Sequence, residues 1–273
     1  MTTRTGMGKQ EYPGASYPAA LLEGHTDANY LQEHGPRFLV THQLAQQNWR
    51  WPTAAVLDIG AHWLHQAVLY AADGHQVTAV DRQGTVSDPG VQATAQRHNI
   101  ALLENAELAE PIGLNSLVDD SIDVVLFCEV LEHLTFNPVN LWRAIYRVLK
   151  PGGRIILTTP NYYAAGSLVR GAWRQLRLRG AGANVQEIIG VPTSGPHWKE
   201  YSQPELVEYF RLLSGDFVVG KARYVHFVNG RSPAWKQRLA AAPGRVLPLL
   251  RNSLYLEIDL PAKVAGICGD PSW

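Results

Sequence analysis

Five short apolar runs, at positions 54–59, 76–81, 100–103, 123–127 and 154–159, recur along the chain with polar, helix-spaced segments between them. Each run is a nearly continuous string of Val, Ile, Leu and Ala rather than an alternation. That is the mark of a strand buried on both faces in a parallel sheet. Residues 65–72, 91–98 and 129–149 carry the helical spacing between strands. Strand–helix alternation of this kind predicts an α/β fold with a doubly wound, mostly parallel sheet and right-handed crossovers. In such sheets a ligand binds outside the carboxyl ends of the strands. Gly60, Asp81, Phe127-Cys128 and Asn161 fall at those ends.

The flanking segments read differently. Residues 1–26 are rich in Gly, Pro, Thr and Tyr and read as a loosely ordered arm. Residues 27–49 carry a helical pattern broken at Gly35-Pro36. Residues 1–50 are therefore expected to form an arm and a helical cap, and 51–273 the principal domain. Between positions 161 and 196 Gly166, Gly171, Gly180, Gly182, Gly190 and Gly195 alternate with Arg170, Arg174, Arg177 and Arg179. This composition suggests an inserted lid at about 161–200. The arginines read first as a solvated helix face. Ser202 with Glu205 three residues on is a capping box, opening a helix that runs to position 213. Residues 216–227 and 254–260 read as two late strands, and 150–153 as a turn before the fifth.

Bulk properties exclude several classes. Lys plus Arg and Asp plus Glu are 24 each, so the net charge is zero. A general nucleic-acid binder needs a basic face to displace counterions, and nucleic acid is not an expected partner. Cys128 and Cys268 are the two cysteines and form no CxxC. A disulfide scaffold is not expected and a cytoplasmic location fits. The first residues lack the apolar core of a signal peptide. No apolar run reaches the length of a membrane span.

Three features then coincide. Val56-Leu57-Asp58-Ile59-Gly60 ends the first strand in a glycine, Asp81 ends the second in an acid, and Lys150-Pro151-Gly152-Gly153 precedes the fifth. A glycine there lets backbone approach a ligand closely. A strand-end acid can accept hydrogen bonds from both hydroxyls of a ribose. The stretch Gly60-Ala61-His62-Trp63-Leu64 is not the GxGxxG of a dinucleotide site. Over residues 52 to about 227 the sequence resembles the class I S-adenosylmethionine-dependent methyltransferases. The resemblance implies a Rossmann-like domain and a cofactor site of Asp58, Gly60, Ala61, Asp81, Arg82, Asn105 and Cys128. In it, Asn105 stands where an acid often faces the adenine edge. His62 and Leu64 replace the family's second and third glycines, so a binding-only relative is the alternative.

The stretch Cys128-Glu129-Val130-Leu131-Glu132-His133-Leu134 follows the fourth strand. If Glu129 opens a helix, Glu132 and His133 share its face. A carboxylate–imidazole cluster of this kind holds divalent ions. The pattern looks like the metal site of the ubiquinone-pathway O-methyltransferases and of the small-RNA 2′-O-methyltransferases. The latter add a downstream histidine, for which His197 is the candidate. The implied metal set is Glu129, Glu132, His133 and His197, with Mg²⁺ expected first and Mn²⁺ or Co²⁺ as alternatives. The catalytic set is His133, Glu132 and His197. Two other readings stand beside it: His133 as a metal-free general base oriented by Glu132, and Glu129 as a helix-capping acid.

For the acceptor, Tyr162, Tyr163, Trp198 and Tyr201 supply rings on either side of the lid. Rings with polar groups suit a sugar, and the segment resembles bacterial methyltransferases of glycan biosynthesis. The first expectation is therefore O-methylation of a hydroxyl on a saccharide or glycan end. A catechol, phenolic or quinone-type acceptor is the rival, and an RNA 2′-hydroxyl the third. A non-catalytic cofactor-binding partner is the reading of another class. A homodimer is compatible with all of them.

Overall fold

The computed structural model describes residues 17–18, 28–178, 185–190 and 195–269. The arm, apart from 17–18, and Arg179, Gly180 and Gly182 of the expected lid lie outside the described residues.

Seven strands form one sheet: β1 (Ala55–Ile59), β2 (Gln76–Asp81), β3 (Ala101–Glu104), β4 (Ile122–Cys128), β5 (Leu149–Pro160), β6 (Val218–Val225) and β7 (Ser253–Leu260). Their order is β3-β2-β1-β4-β5-β7-β6. The first five are parallel, and β7 runs antiparallel between β5 and β6. The chain leaves β1 toward β2 and β3, then returns to place β4 on the other side. That reversal opens a crevice at the carboxyl ends of β1 and β4, where open α/β sheets bind ligands.

Nine helices accompany the sheet among the described residues: α1 (Ala28–Gln46), α2 (Ala67–Ala72), α3 (Gln83–Val86), α4 (Pro89–His98), α5 (Val139–Val148), α6 (Ala165–Leu176), α7 (Val185–Gly190), α8 (Gln203–Leu213) and α9 (Ala234–Val246). Strand β4 shows why the apolar runs are continuous. Val124 and Leu126 enter the core beneath α1, α2 and α4, while Val125 and Phe127 enter the core beneath α5 and α8. Both faces are buried. On α5 the spacing Leu141, Trp142, Ile145, Val148 turns one face inward. The Trp142 indole then donates to the Tyr209 hydroxyl of α8 at 2.6 Å. The Ser202–Glu205 capping box is present in full at the start of α8.

Three sequence expectations need correction, and one helix went unread. Helix α1 continues through Gly35-Pro36. Pro36 lacks the N–H that the Gln32 carbonyl would accept, and the next carbonyl of that turn, of Glu33, accepts from Gly230 N at 3.1 Å. The segment 150–153 is not a free turn but an irregular part of β5. Its register against β4 jumps between Ile122 and Val124, with Gly152 at φ +83°. Glu129 does not open a helix: a single 3₁₀ turn, Leu131–His133, precedes α5. Helix α9 had no counterpart in the sequence pattern.

Candidate cofactor and acceptor site

The loop after β1 is held against β2 by Gly60 N and Ala61 N, which donate to the Val80 carbonyl at 2.9 and 3.2 Å. Gly60 sits at φ +75°, and a Cβ there would stand 2.7 Å from Val130 Cγ2. Only glycine fits both demands. His62 and Leu64, which replace the expected glycines, also adopt left-handed conformations, at φ 48° and 63°. The backbone path of a glycine loop is thus retained without the glycines. Leu64 is anchored in the core, and the His62 ring packs on Trp63 and Tyr30, centroids 4.2 and 5.2 Å away.

Asp81 closes this loop. Its Oδ2 accepts from His62 N at 2.7 Å and its Oδ1 from Arg82 N at 2.8 Å. Each oxygen keeps a lone pair for a ligand. Asp58 is buried and accepts from the backbone N–H of Ala67, at the start of α2. Its Oδ2 has no hydrogen-bond partner among the described residues. Burial, and then the nearby Asp81, push its carboxyl up to about 7.

The remaining cofactor candidates divide. Ala61 is buried under the loop and Arg82 is exposed. The Asn105 amide is committed to its own loop, donating to Glu107 O at 2.9 Å and accepting from Gly113 N at 2.8 Å. An adenine contact through its side chain is not what this geometry favours. Cys128 is half-buried at the end of β4, and burial pushes its thiol up. The amide of Asn161 donates to the Leu249 and Arg251 carbonyls at 2.7 Å, pinning the end of β5.

Beyond β4 the polar cluster assembles differently from a helix face. Glu129 adopts φ 57°, with its N–H on the Thr158 carbonyl at 2.8 Å. Its Oε2 pairs with Arg37 Nη1 of α1 at 3.3 Å. Glu132 is fully buried, and its Oε2 accepts from Thr159 Oγ1 at 3.0 Å. Its Oε1 has no hydrogen-bond partner among the described residues and lies 3.9 Å from His133 Nε2. Burial, and then the Glu129 charge, hold the Glu132 carboxyl well above the usual carboxylate range. His133 Nδ1 lies 3.1 Å from the Pro196 carbonyl. A carbonyl only accepts, so Nδ1 carries the proton and Nε2 keeps a lone pair. Burial, and then His197, favour the neutral ring.

His197 completes the group. Its ring centroid is 5.0 Å from that of His133, and Trp198 N donates to the Glu132 carbonyl at 2.8 Å. Glu132, His133 and His197 each offer an atom within 4.8 Å of the others'. Glu129, proposed with them from the sequence, is not part of this set. Reading the sequence also missed Arg37, Thr159 and Pro196, which are distant in the chain and carry no motif.

Residues 57–157 match the family model for a methyltransferase domain. The stretch is a class I S-adenosylmethionine-dependent methyltransferase domain. A ubiquinone biosynthesis O-methyltransferase of Pseudomonas fluorescens is 29% identical over 54% of this chain and 71% of its own length. One of the same name from Xanthomonas oryzae is 29% identical over 58% of this chain and 61% of its own. The fold matches the crystal structure of the Burkholderia thailandensis 1,6-didemethyltoxoflavin N1-methyltransferase, solved with S-adenosylhomocysteine. The TM-score is 0.54 and the identity 20%, over 86% of this chain and 82% of that one.

In this methyltransferase domain Tyr162 and Tyr163 are exposed immediately beyond β5, with ring centroids 5.2 Å apart. Tyr162 N donates to the Tyr201 carbonyl at 2.9 Å. Trp198 and Tyr201 are half-buried on the segment that carries His197. Tyr162 and Tyr201 are thus joined through their backbone, and Trp198 and Tyr201 follow His197 closely in the chain.

Proposed function

We propose that this methyltransferase is an O-methyltransferase acting on a ring hydroxyl of a phenolic, catechol or quinone-type acceptor. The observation that carries the reading is the unpartnered Oε1 of buried Glu132, facing His133 Nε2 with His197 beside it. A buried carboxylate oxygen without a partner costs free energy unless a ligand or proton satisfies it. The names of the curated relatives point to a ring hydroxyl. That favours this acceptor class over the saccharide suggested by the sequence.

The donor set fits a divalent ion: one carboxylate oxygen and two imidazoles, with the His133 tautomer fixed through Pro196. An ion held by Glu132, His133 and His197 would act as a Lewis acid on the acceptor hydroxyl. The chain's own contributions are distinct. Asp81 holds the ribose of the cofactor, the Gly60 turn admits its methionine part, and Arg37 offers a cation for its carboxylate. His133 Nε2 is either a ligand or the acceptor of the hydroxyl proton. Tyr162, Tyr163, Trp198 and Tyr201 stack on the acceptor, so that its oxygen approaches the methyl carbon in line.

The test is methyl transfer from labelled S-adenosylmethionine to a panel of catechols, phenols and saccharides, with EDTA and with Mg²⁺ or Mn²⁺ restored. Turnover on catechols that EDTA removes and metal restores is the expected result. Turnover indifferent to EDTA assigns His133 as a plain base. Turnover confined to saccharides overturns the acceptor class.

A further inference from the structure

Helices α6 and α9 pack against one another. Helix α6 follows directly on Tyr162 and Tyr163, and its Ser167 hydrogen-bonds Glu200, which pairs with His197. Both helices turn their apolar stripes to solvent. On α6 the stripe is Val169, Trp173 and Leu176, spaced i, i+4, i+7; on α9 it is Trp235, Leu239 and Val246. Trp173 is 55% exposed, Trp235 63%, Leu176 78% and Val246 87%. Isolated exposed apolar residues are ordinary, but two adjoining stripes are not.

The charges on these helices are one-sided. Arg170, Arg174 and Arg177 lie on or just after α6, and Lys236, Arg238 and Arg245 on α9, with no acid in either helix. The whole chain is neutral, so cations have been gathered here and acids placed elsewhere. Each tryptophan lies under a cation: Arg177 over Trp173 at 4.3 Å and Lys236 over Trp235 at 5.5 Å. Helices with Trp and Leu on one flank and Lys or Arg beside them lie in the headgroup plane of a bilayer. Trp rings settle at that depth.

We propose that the α6–α9 face is a docking surface for an anionic lipid bilayer. It would hold the acceptor crevice at the membrane, with no segment spanning it. The inference does not depend on which hydroxyl is methylated. A second copy of the chain fits worse, because joining two such faces would oppose six cations with six more. A nucleic acid would leave the protruding Leu176 and Val246 without partners.

The experiment is sedimentation of the full chain with phosphatidylcholine vesicles, with and without phosphatidylglycerol, while cofactor affinity is followed by calorimetry. Phosphatidylglycerol should raise the bound fraction at least about tenfold, given the attraction of each basic residue to an anionic leaflet. Added salt should reverse the gain. Trp173→Glu with Trp235→Glu should remove binding and leave cofactor affinity unchanged. Val118→Glu, at an exposed position in the loop before β4, should alter neither. Lys236→Glu with Arg238→Glu changes only exposed side chains and gives a second reading should the tryptophan variant unfold. Binding indifferent to phosphatidylglycerol, or retained in both double variants, overturns the proposal. So does a stable dimer in light scattering that the tryptophan variant dissociates. A chain that binds vesicles but transfers no methyl group overturns the proposed function and leaves this surface standing.

Discussion

His133 Nδ1 stands 3.1 Å from the carbonyl oxygen of Pro196, joining the turn after β4 to the segment that carries His197. This contact fixes the tautomer of His133 and aims Nε2 at Glu132. His133→Ala should therefore lower turnover by about 10²–10⁴-fold, the usual range for a lost proton-transfer group. Glu132→Gln should do the same. Cofactor affinity should stay within about twofold in both, since neither side chain is hydrogen-bonded to the loop after β1 among the described residues. Calorimetry with the cofactor, beside single-turnover methyl transfer, checks both halves. Near-normal turnover in either variant would reduce the turn to a structural element.

Thr159 donates a hydrogen bond to Glu132 Oε2 at 3.0 Å, and both residues are buried. Thr159→Val keeps the shape and removes the donor. The expected cost is about 1–3 kcal/mol of stability, as for a buried acceptor left unpaired. Turnover should fall more than cofactor affinity does. Urea unfolding and kcat measured on the same preparation test this. An unchanged urea midpoint would mean that Glu132 does not need Thr159.

The sheet was legible in the sequence because burial on both faces leaves a one-dimensional signature: Val124 to Phe127 are apolar at every position, and all four are core. The capping box at Ser202 was legible because its two partners are three residues apart. The Glu132–His133–His197 group was half legible. Its members could be named, but the helix drawn through Glu129 was wrong. A left-handed residue at 129 and a 3₁₀ turn at 131–133 break the spacing. Arg37, Thr159 and Pro196 could not be read at all, because each meets the site through tertiary packing alone. The same holds for the turn before Pro36, where the Glu33 carbonyl meets Gly230, a residue far along the chain.

His62 and Leu64 share a left-handed backbone but differ in burial, which separates two energies. Relief of a non-glycine left-handed residue is worth about 1–2 kcal/mol, and glycine's added freedom in the unfolded chain takes back about 0.5–1 kcal/mol. His62→Gly should thus leave stability within about 1 kcal/mol of the parent. Leu64 is almost fully buried, so Leu64→Gly also empties its core site and should cost about 2–5 kcal/mol. Chemical denaturation of the two variants tests the contrast. Equal effects would show that the Leu64 side chain does not hold the loop.

Asp81 bonds the loop at His62 and Arg82 while keeping lone pairs free. Asp81→Ala removes both tethers and any bond to a ribose. Two charge-assisted hydrogen bonds are worth roughly 3 kcal/mol or more, so cofactor affinity should fall at least about 100-fold. Calorimetric titration with S-adenosylhomocysteine decides it, and unchanged affinity would end the ribose role of Asp81.

Asp58 gives the fold a pH dependence of its own. Burial and the Asp81 charge raise its carboxyl to about 7, whereas an unfolded aspartate titrates near ~3.9. Between those values the native state holds a proton that the unfolded chain has released. Stability then decreases as pH rises, and the whole contribution is gone above about 7. The slope from this one group approaches about 1.4 kcal/mol per pH unit within the window. Asp58→Asn keeps an acceptor for the Ala67 N–H and replaces the unpartnered oxygen with a donor, so it imitates the protonated form at every pH. The stability of the parent minus that of the variant, from urea unfolding without cofactor, should therefore become steadily less favourable from pH 5 to pH 7 and level off beyond. A difference that stays flat across this range would mean that Asp58 is already ionised in the native protein, and that its buried Oδ2 has a partner.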